Sequence, residues 1–238
     1  DYTNASKAGI TQLNDKFRNL KVAIIGLGGT GSYLLDMIAK TVVQEIYLFD
    51  ADVFNTHNAF RAPGAPSVDD LTMAPRKVDY FSKLYGKMHK NIIPCCEMVT
   101  EGNLSKLDGM DYVFLSLDKV AAKKLIANHL ISRGIPFIDS GMGVDMQSDG
   151  RLSGLIHVTL GTGEKYDHLS DVLGDDTADD DLYATDIQIA ELNALAATLS
   201  IIKWKKMLGI YADTEHEYLS VYGIDDNEIE NKNETEKI

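Results

Sequence analysis

A glycine-rich turn between an apolar run and a helical pattern is the feature that most limits what this chain can fold into. The apolar run Lys21–Ile25 leads into Gly26-Leu-Gly-Gly-Thr-Gly31, and apolar residues then recur at helical spacing as far as Lys40. A short apolar run that ends in glycines predicts a buried strand followed by a tight turn into a helix. Such a strand–turn–helix unit is typical of α/β sheets that bind phosphate at the helix N-terminus.

Strand and helix patterns continue to alternate after this unit. Strands are predicted at 45–50, 92–100, 111–116 and 135–140, and helices at 75–89 and 119–132. The alternation predicts the α/β class, with a Rossmann-like, doubly wound and mainly parallel sheet. In the C-terminal third, residues 151–160 read as a strand in a hairpin with the residues before it, which adds antiparallel strands to the sheet. Residues 185–208 predict a long helix, apolar on most sides, that is buried in a core or a subunit interface.

The chain has 238 residues, 45% of them hydrophobic, and no linker divides it. We therefore expect a single domain over residues 1–224, beginning with a helix that ends near Arg18. The polar stretch 161–185, with six aspartates from Asp171 to Asp181, is expected to be a mobile crossover loop. Residues 225–238 are expected to form a charged, disordered tail.

Charge and cysteine usage restrict the partners and the compartment. With 23 Lys and Arg against 36 Asp and Glu, the formal net charge is −13, which argues against nucleic acid and anionic membranes as partners. No apolar run approaches the roughly 20 residues of a membrane span, and the first residues lack a signal-peptide pattern. The only cysteines are the neighbours Cys95 and Cys96, which argues against a disulfide framework and favours the cytoplasm.

The glycine turn predicts a nucleotide site at Gly26, Gly28, Gly29 and Gly31. Asp50 ends the second predicted strand, where a carboxylate can accept hydrogen bonds from ribose hydroxyls. These features suit ATP and NAD equally well. Two other interpretations stay open at this point, a structural turn that binds nothing and a solvated aspartate at a strand end.

The residues that follow carry a family resemblance. Asp50, Asp52, Asn58 and Arg61 are followed by Lys77, which opens a predicted helix, and Asp118 follows the strand DYVFLS. Together with the GxGGxG turn, they resemble the motifs of the E1-like (ThiF/MoeB/HesA) activating enzymes, over roughly residues 15–225. The resemblance implies an adenylyltransferase that uses ATP to activate the C-terminal glycine carboxylate of a ubiquitin-like or sulfur-carrier protein, releases pyrophosphate and forms a homodimer.

The resemblance also implies roles for these residues, and their chemistry fits. Arg61 and Lys77 would be the catalytic cations at the phosphates, with Asn58 as a neutral donor beside them. Asp118 would hold Mg²⁺, for which a carboxylate oxygen is a suitable ligand. Asp50 and Asp52 would bind the nucleotide. The competing interpretation makes the cations solvated surface charges and Asp118 a cap of the helix that follows it.

The sequence departs from the family at the cysteines. It has no C-x-x-C pair, so no zinc site is expected. The stretch 161–185 has no cysteine, so no thioester is expected, and Cys95 and Cys96 are predicted to be core thiols. Arg18 is the only arginine before the glycine turn, which makes it a candidate to reach into a partner's site in a dimer.

Other functions remain open. One is adenylation of a small-molecule or RNA carbonyl, although the acidity of the chain argues against RNA. Another is a catalytically silent partner that only binds a ubiquitin-like protein, which the set Asp50, Arg61, Lys77 and Asp118 argues against. A third is an NAD-dependent dehydrogenase, for which no acid–base constellation is visible. In the favoured interpretation, residues 161–181 gate the carrier's C-terminal tail.

Overall fold

The computed structural model describes residues 11–173 and 187–232, and eight strands within them form one sheet. The spatial order of the strands is β3-β2-β1-β4-β5-β6-β7-β8. Their bounds are β1 Lys21–Ile25, β2 Glu45–Phe49, β3 Ile92–Cys95, β4 Tyr112–Leu115, β5 Phe137–Met146, β6 Leu152–Gly161, β7 Leu219–Gly223 and β8 Ile229–Lys232. The mainly parallel α/β sheet predicted from the sequence is confirmed, with antiparallel strands on the C-terminal side.

Helices connect the parallel strands and cover both faces of the sheet. They are α1 Thr11–Asp15, α2 Gly29–Ile38, α3 Thr56–Ala59, α4 Val68–Met73, α5 Lys77–Tyr85, α6 Val120–Arg133, α7 Leu169–Val172 and α8 Ala190–Met207, with a 3-10 turn at Leu104–Leu107. None of the helices in the described part of the chain is both long and apolar enough to cross a membrane.

The register of the parallel strands brings three chain segments to one edge of the sheet. Ile25, the last residue of β1, lies opposite Phe49 in β2 and Leu115 in β4. The next residues of the three strands are Gly26, Asp50 and Ser116. All three segments therefore leave the sheet at its carboxyl edge, where ligands of open α/β sheets bind.

The C-terminal third extends the sheet further than the sequence pattern predicted. β5 runs six residues beyond the predicted end at Ser140, because its second half pairs with β6 in a long hairpin. The predicted tail is wrong for its first part, since β8 at Ile229–Lys232 pairs with β7. Local composition is charged there, but the open edge of β7 offers backbone partners that composition does not reveal. Residues 233–238 lie outside the described residues.

Two apolar layers sandwich the sheet. On one face, α2, α5 and α8 cover a core that includes Leu34, Phe81 and Trp204, and on the other α6 packs over Ile25 and Leu115. Trp204 is fully buried and meets the rings of Phe17, Tyr112 and Phe114. The prediction that the long helix is buried is confirmed for most of its length, although Ile202 remains 38% exposed.

The predicted crossover loop is only partly within the described residues. Its first part contains the short helix α7, whose Leu169 is buried together with Leu173 in the core on the α6 side. Residues 174–186 are outside the described part of the chain. The two leucines anchor residues 169–173 to the core. The mostly polar composition of the loop did not predict this contact.

Candidate functional site

The glycine turn lies at the carboxyl edge of β1 and is built so closely that side chains are excluded. Gly26 has a φ of +90°, and a β-carbon there would collide with the carbonyl oxygen of Ser116. A β-carbon at Gly31 would collide with the carbonyl oxygen of Gly26. These two glycines therefore let the first turn of α2 approach the end of β4, as the sequence predicts for a phosphate-binding turn.

The middle of the turn has one open and one filled side. Nothing lies within 4 Å of a β-carbon built on Gly28, which is the N-cap residue of α2. A β-carbon on Gly29 would instead collide with the side chain of Asn193 in α8. The backbone N–H groups of the first turn of α2 have no acceptors within the helix, and the N-terminal end of the helix dipole is positive. The open side at Gly28 thus offers an anion both space and donors.

Asp50 is joined to this turn directly. Its Oδ2 accepts the backbone N–H of Leu27 at 2.7 Å, and its Oδ1 accepts the N–H of Asp52 at 2.8 Å. The residue is 9% exposed. The ribose contact of Asp50 stays a prediction, and the structure shows that its carboxylate binds the backbone of the glycine turn.

Lys77 is brought to the same edge by two backbone contacts. The N–H of Phe54 donates to the carbonyl of Pro75 at 2.7 Å, and the N–H of Lys77 donates to the carbonyl of Asp52 at 2.9 Å. The Lys77 ammonium then lies 2.8 Å from Asp52 Oδ2 and 3.6 Å from Asp50 Oδ2. Its side chain is only 8% exposed, whereas that of Asp52 is 69% exposed. A nearly buried cation is thus held next to the glycine turn.

Asn58 and Arg61 lie on and just after the short helix α3. Asn58 is buried, and its side-chain oxygen accepts the N–H of Asn55 at 2.9 Å, which caps the helix. Arg61 differs, because its Nε is shielded from solvent and has no hydrogen-bond partner within the described residues. A buried guanidinium N–H without an acceptor is costly. A phosphate oxygen would supply the acceptor, so this residue fits an anionic ligand.

Asp118 is exposed three residues after the end of β4. The N-cap residue of α6 is Lys119, so Asp118 lies one residue before the cap position. Across residues 11–173 and 187–232, no group of three or more His, Cys, Asp or Glu side chains could hold a metal. A single carboxylate is nevertheless compatible with Mg²⁺, which is often held by one or two carboxylates together with substrate phosphates and water.

A buried charged group that the sequence analysis missed lies on β5 and β6. Asp139 is completely buried, and its carboxylate contacts the ammonium of Lys123 at 2.9 Å and His157 Nε2 at 3.3 Å. Burial alone would raise the pKa of Asp139, but the Lys123 charge and the His157 contact together lower it below its ordinary value. The sequence could have indicated this group, because Asp139 lies within a predicted apolar strand and a buried carboxylate requires a charged or hydrogen-bonding partner.

One prediction about the cysteines is wrong, and the prediction about Arg18 is untested. Cys95 is half-buried, and burial and the nearby Glu97 raise its pKa. Cys96 is exposed rather than a core thiol, because the edge strand β3 ends at Cys95. Arg18 pairs with Asp15 at 3.1 Å on the surface, and its role across a dimer stays a prediction.

Comparisons with known proteins identify the family of the chain. The model of the ThiF family matches residues 4–229. Ubiquitin-like modifier-activating enzyme 5 of Dictyostelium discoideum is 25% identical over 176 residues, which is 65% of this chain and 42% of that protein. The tRNA threonylcarbamoyladenosine dehydratase of Bacillus subtilis (strain 168) is 29% identical over 143 residues, covering 57% of this chain and 53% of the relative. The chain thus spans about half the length of these relatives or less.

Solved structures show the same fold. Escherichia coli MccB in complex with MccA-N7isoASN superimposes with a TM-score of 0.77 at 19% identity, covering 98% of this chain and 72% of MccB. MccB with ATP superimposes with a TM-score of 0.72 at 18% identity, with the same coverage. A family model that spans nearly the whole chain, together with this fold, gives a single conclusion. The chain belongs to the ThiF family of E1-like proteins.

Proposed function

We propose that the chain is an adenylyltransferase that binds ATP at the Gly26–Gly31 turn and transfers AMP to a substrate carboxylate, releasing pyrophosphate. The observation that carries the proposal is the joining of Asp50 to the glycine turn, with the nearly buried Lys77 beside both. A ribose acceptor, a phosphate-binding turn and a cation are thereby held in one place. The ATP-bound structure of MccB, which shares the fold, supports the choice of ATP.

The reaction needs positive charge where negative charge develops. When a carboxylate oxygen attacks the α-phosphorus, charge accumulates on the phosphoryl oxygens and on the departing pyrophosphate. Lys77 lies beside Asp50 and Asp52, and Arg61 Nε lacks an acceptor within the described residues. Mg²⁺ held by Asp118 would neutralise further phosphate charge. Lys77 would exchange its contact with the exposed Asp52 for a phosphate oxygen.

The proposed substrate is the C-terminal carboxylate of a ubiquitin-like or sulfur-carrier protein. Similarity to a ubiquitin-like modifier-activating enzyme supports this class. Similarity to a tRNA-modifying dehydratase supports adenylation of an RNA-borne carboxylate instead, but a net charge of −13 disfavours RNA. We therefore favour a protein carboxylate over an RNA-borne carboxylate as the substrate.

Pyrophosphate exchange tests the proposal. In the presence of ATP, Mg²⁺ and carrier proteins ending in glycine, the native chain should exchange labelled pyrophosphate into ATP. Arg61→Ala and Asp118→Ala should each reduce the exchange rate by about a hundredfold or more, because losing one charged group at a phosphoryl site costs roughly 3 kcal/mol of transition-state stabilisation.

A matched control is Arg133→Ala, which removes an exposed arginine at the end of α6 that pairs with Asp108 on the surface. This variant should exchange at the native rate. Near-native exchange by Asp118→Ala would contradict the role assigned to that residue. Tighter binding of NAD than of ATP in calorimetric titrations would contradict the nucleotide assignment altogether.

A further inference from the structure

Asn193, in the first turn of α8, contacts the glycine turn although the two are far apart in the chain. It is 1% exposed. Its side-chain oxygen accepts the hydroxyl of Thr30 at 2.9 Å, and its amide Nδ2 donates to the carbonyl of Ile189 at 3.1 Å. Ile189 is the N-cap residue of α8. One side chain therefore binds the glycine turn with its acceptor and the start of α8 with its donor.

The contact includes the backbone of the turn as well. The Asn193 amide occupies the space where a side chain on Gly29 would lie, while the neighbouring Gly28 has open space. Asn193 thus supports the turn from one side and leaves the other side accessible. Thr30 is itself 6% exposed, so its hydrogen bond to Asn193 is shielded from water.

The chemistry of the residue matters as much as its size. An amide supplies the acceptor for the Thr30 hydroxyl and a second donor to the Ile189 carbonyl, which also accepts the backbone N–H of Asn193 at 3.0 Å. Leucine has a similar volume but supplies neither, so it would leave the buried Thr30 hydroxyl without its partner. A buried polar group that loses its partner destabilises the arrangement that buried it.

We infer that Asn193 is a positioning residue that holds the phosphate-binding turn and couples its occupancy to the first turn of α8. The inference rests on the proposed function, since it takes ATP to be the occupant of the turn. When phosphates bind the N–H groups at the start of α2, Thr30 is held in place, and Asn193 transmits this restraint to the Ile189 carbonyl. Occupancy of the nucleotide site should therefore restrain the start of α8 as well.

Two single variants break the contact from opposite sides. Asn193→Leu removes both hydrogen bonds, and Thr30→Val removes only the hydroxyl donor. Each should raise the Kd for ATP with Mg²⁺ by about tenfold, and the double variant should bind about as weakly as the worse single variant, because the two residues act through one contact. Saturating ATP should restore the rate of pyrophosphate exchange, so the change falls on KM rather than kcat.

The matched control is Ser200→Ala. Ser200 is equally buried on α8, but its hydroxyl donates to Ala196 within the helix at 2.8 Å and does not contact the turn. This variant should keep the native Kd. If Asn193 were only structural, Asn193→Leu would lower the stability of the fold, but it would bind ATP as tightly as Ser200→Ala does.

Hydrogen exchange provides the direct readout of the coupling. In the native chain, ATP with Mg²⁺ should slow exchange in the peptide that covers the start of α8, as well as in the glycine turn. In Thr30→Val, saturating ATP should still slow exchange in the turn but no longer in α8. This second variant keeps the test decisive if Asn193→Leu fails to fold.

The outcomes separate the inference from the proposed function. Native Kd values and native protection of α8 in both variants would overturn the inference while leaving ATP binding intact. Absence of ATP binding by the native chain would overturn the proposed function, and the inference with it.

Discussion

At the scale of single residues, the most demanding feature is the completely buried carboxylate of Asp139. Its charge is compensated by Lys123, whose side chain is 10% exposed, and by His157 on the neighbouring strand. Gly141 makes room for the His157 ring, because a β-carbon there would come within 2.8 Å of it. Removing one partner of such a group leaves an uncompensated charge in the interior, which costs far more than breaking a surface pair.

We expect Lys123→Met to lower the free energy of unfolding at pH 7 by about 3 to 5 kcal/mol, because it leaves the buried Asp139 carboxylate without its countercharge. The measurement is urea unfolding followed by circular dichroism. Lys40→Met is the matched control, since it breaks an ion pair with Asp36 whose lysine is 55% exposed. That change should cost less than about 1 kcal/mol. Equal losses in both variants would contradict the proposed compensation.

The stability of the native chain and that of Lys123→Met should respond to acid in opposite ways. The lowered pKa of Asp139 means that its contribution to native stability is present above the ordinary carboxyl pKa and is lost as pH falls through the lower folded value. In Lys123→Met, burial should instead raise the pKa of Asp139, so protonation would favour the folded state. The variant should therefore regain part of its stability between pH 7 and pH 5, relative to the native chain. A constant difference across this range would argue against the assignment.

At the scale of elements, the edge strand β3 decides how the two cysteines behave. Cys95 lies opposite Phe49 at the end of the strand, and its raised pKa lowers the thiolate fraction at neutral pH. Cys96 is exposed just beyond the strand. Neither cysteine lies in the 161–185 stretch, where the resemblance would place the thiol that accepts an activated carboxylate.

We therefore predict that the reaction stops at the acyl-adenylate and that no enzyme thioester forms. The chain would be incubated with ATP, Mg²⁺ and a panel of ubiquitin-like and sulfur-carrier proteins, and the products separated on gels with and without reducing agent. No reducible adduct should appear. An ATP-dependent adduct that disappears in Cys96→Ser or Cys95→Ser would show that the prediction is wrong.

At the scale of the whole molecule, apolar side chains remain exposed between β2 and α5. Phe60 is 82% exposed and Met73 is 76% exposed, on a segment of short helices next to Arg61. Large apolar side chains clustered on a surface often mark a contact with another protein. Ile202 on α8 is far less exposed, at 38%, so the segment between β2 and α5 exposes its apolar side chains more fully.

We predict a homodimer that buries this segment. Light scattering at micromolar concentration should give about twice the chain mass of 26.2 kDa. Phe60→Asp should shift the equilibrium to monomers, because it places a charge in the interface. The control Met146→Asp, at the tip of the β5–β6 hairpin, changes a residue that is 68% exposed and should leave the dimer intact. A native monomer in the presence of ATP would refute the prediction.

Local patterns determined the parallel half of the sheet and identified residues that the structure brings together at its carboxyl edge. The run before Gly26 and the alternation that follows are local properties, and strand order at a carboxyl edge follows from the connection rules of α/β proteins. The sequence could predict that Asp50, Asp52 and Lys77 lie close together. The motif is short, and the segment that connects it to Lys77 returns to the carboxyl edge of the sheet. The antiparallel half of the sheet was only partly predictable. β7 and β8 form because their backbones pair with neighbouring strands, and their own sequences show no clear strand pattern.

The sequence by itself determined that this chain builds a Rossmann-like sheet with a glycine turn, an aspartate after β2 and a lysine at the start of a helix. Only the tertiary structure decided what these residues contact. It placed Asp50 on the turn, Lys77 between two carboxylates and Asn193 against Gly29. The physical reason is that glycine conformation and apolar periodicity act over a few neighbouring residues. The partners of a buried polar group are instead fixed by packing between segments up to 163 positions apart.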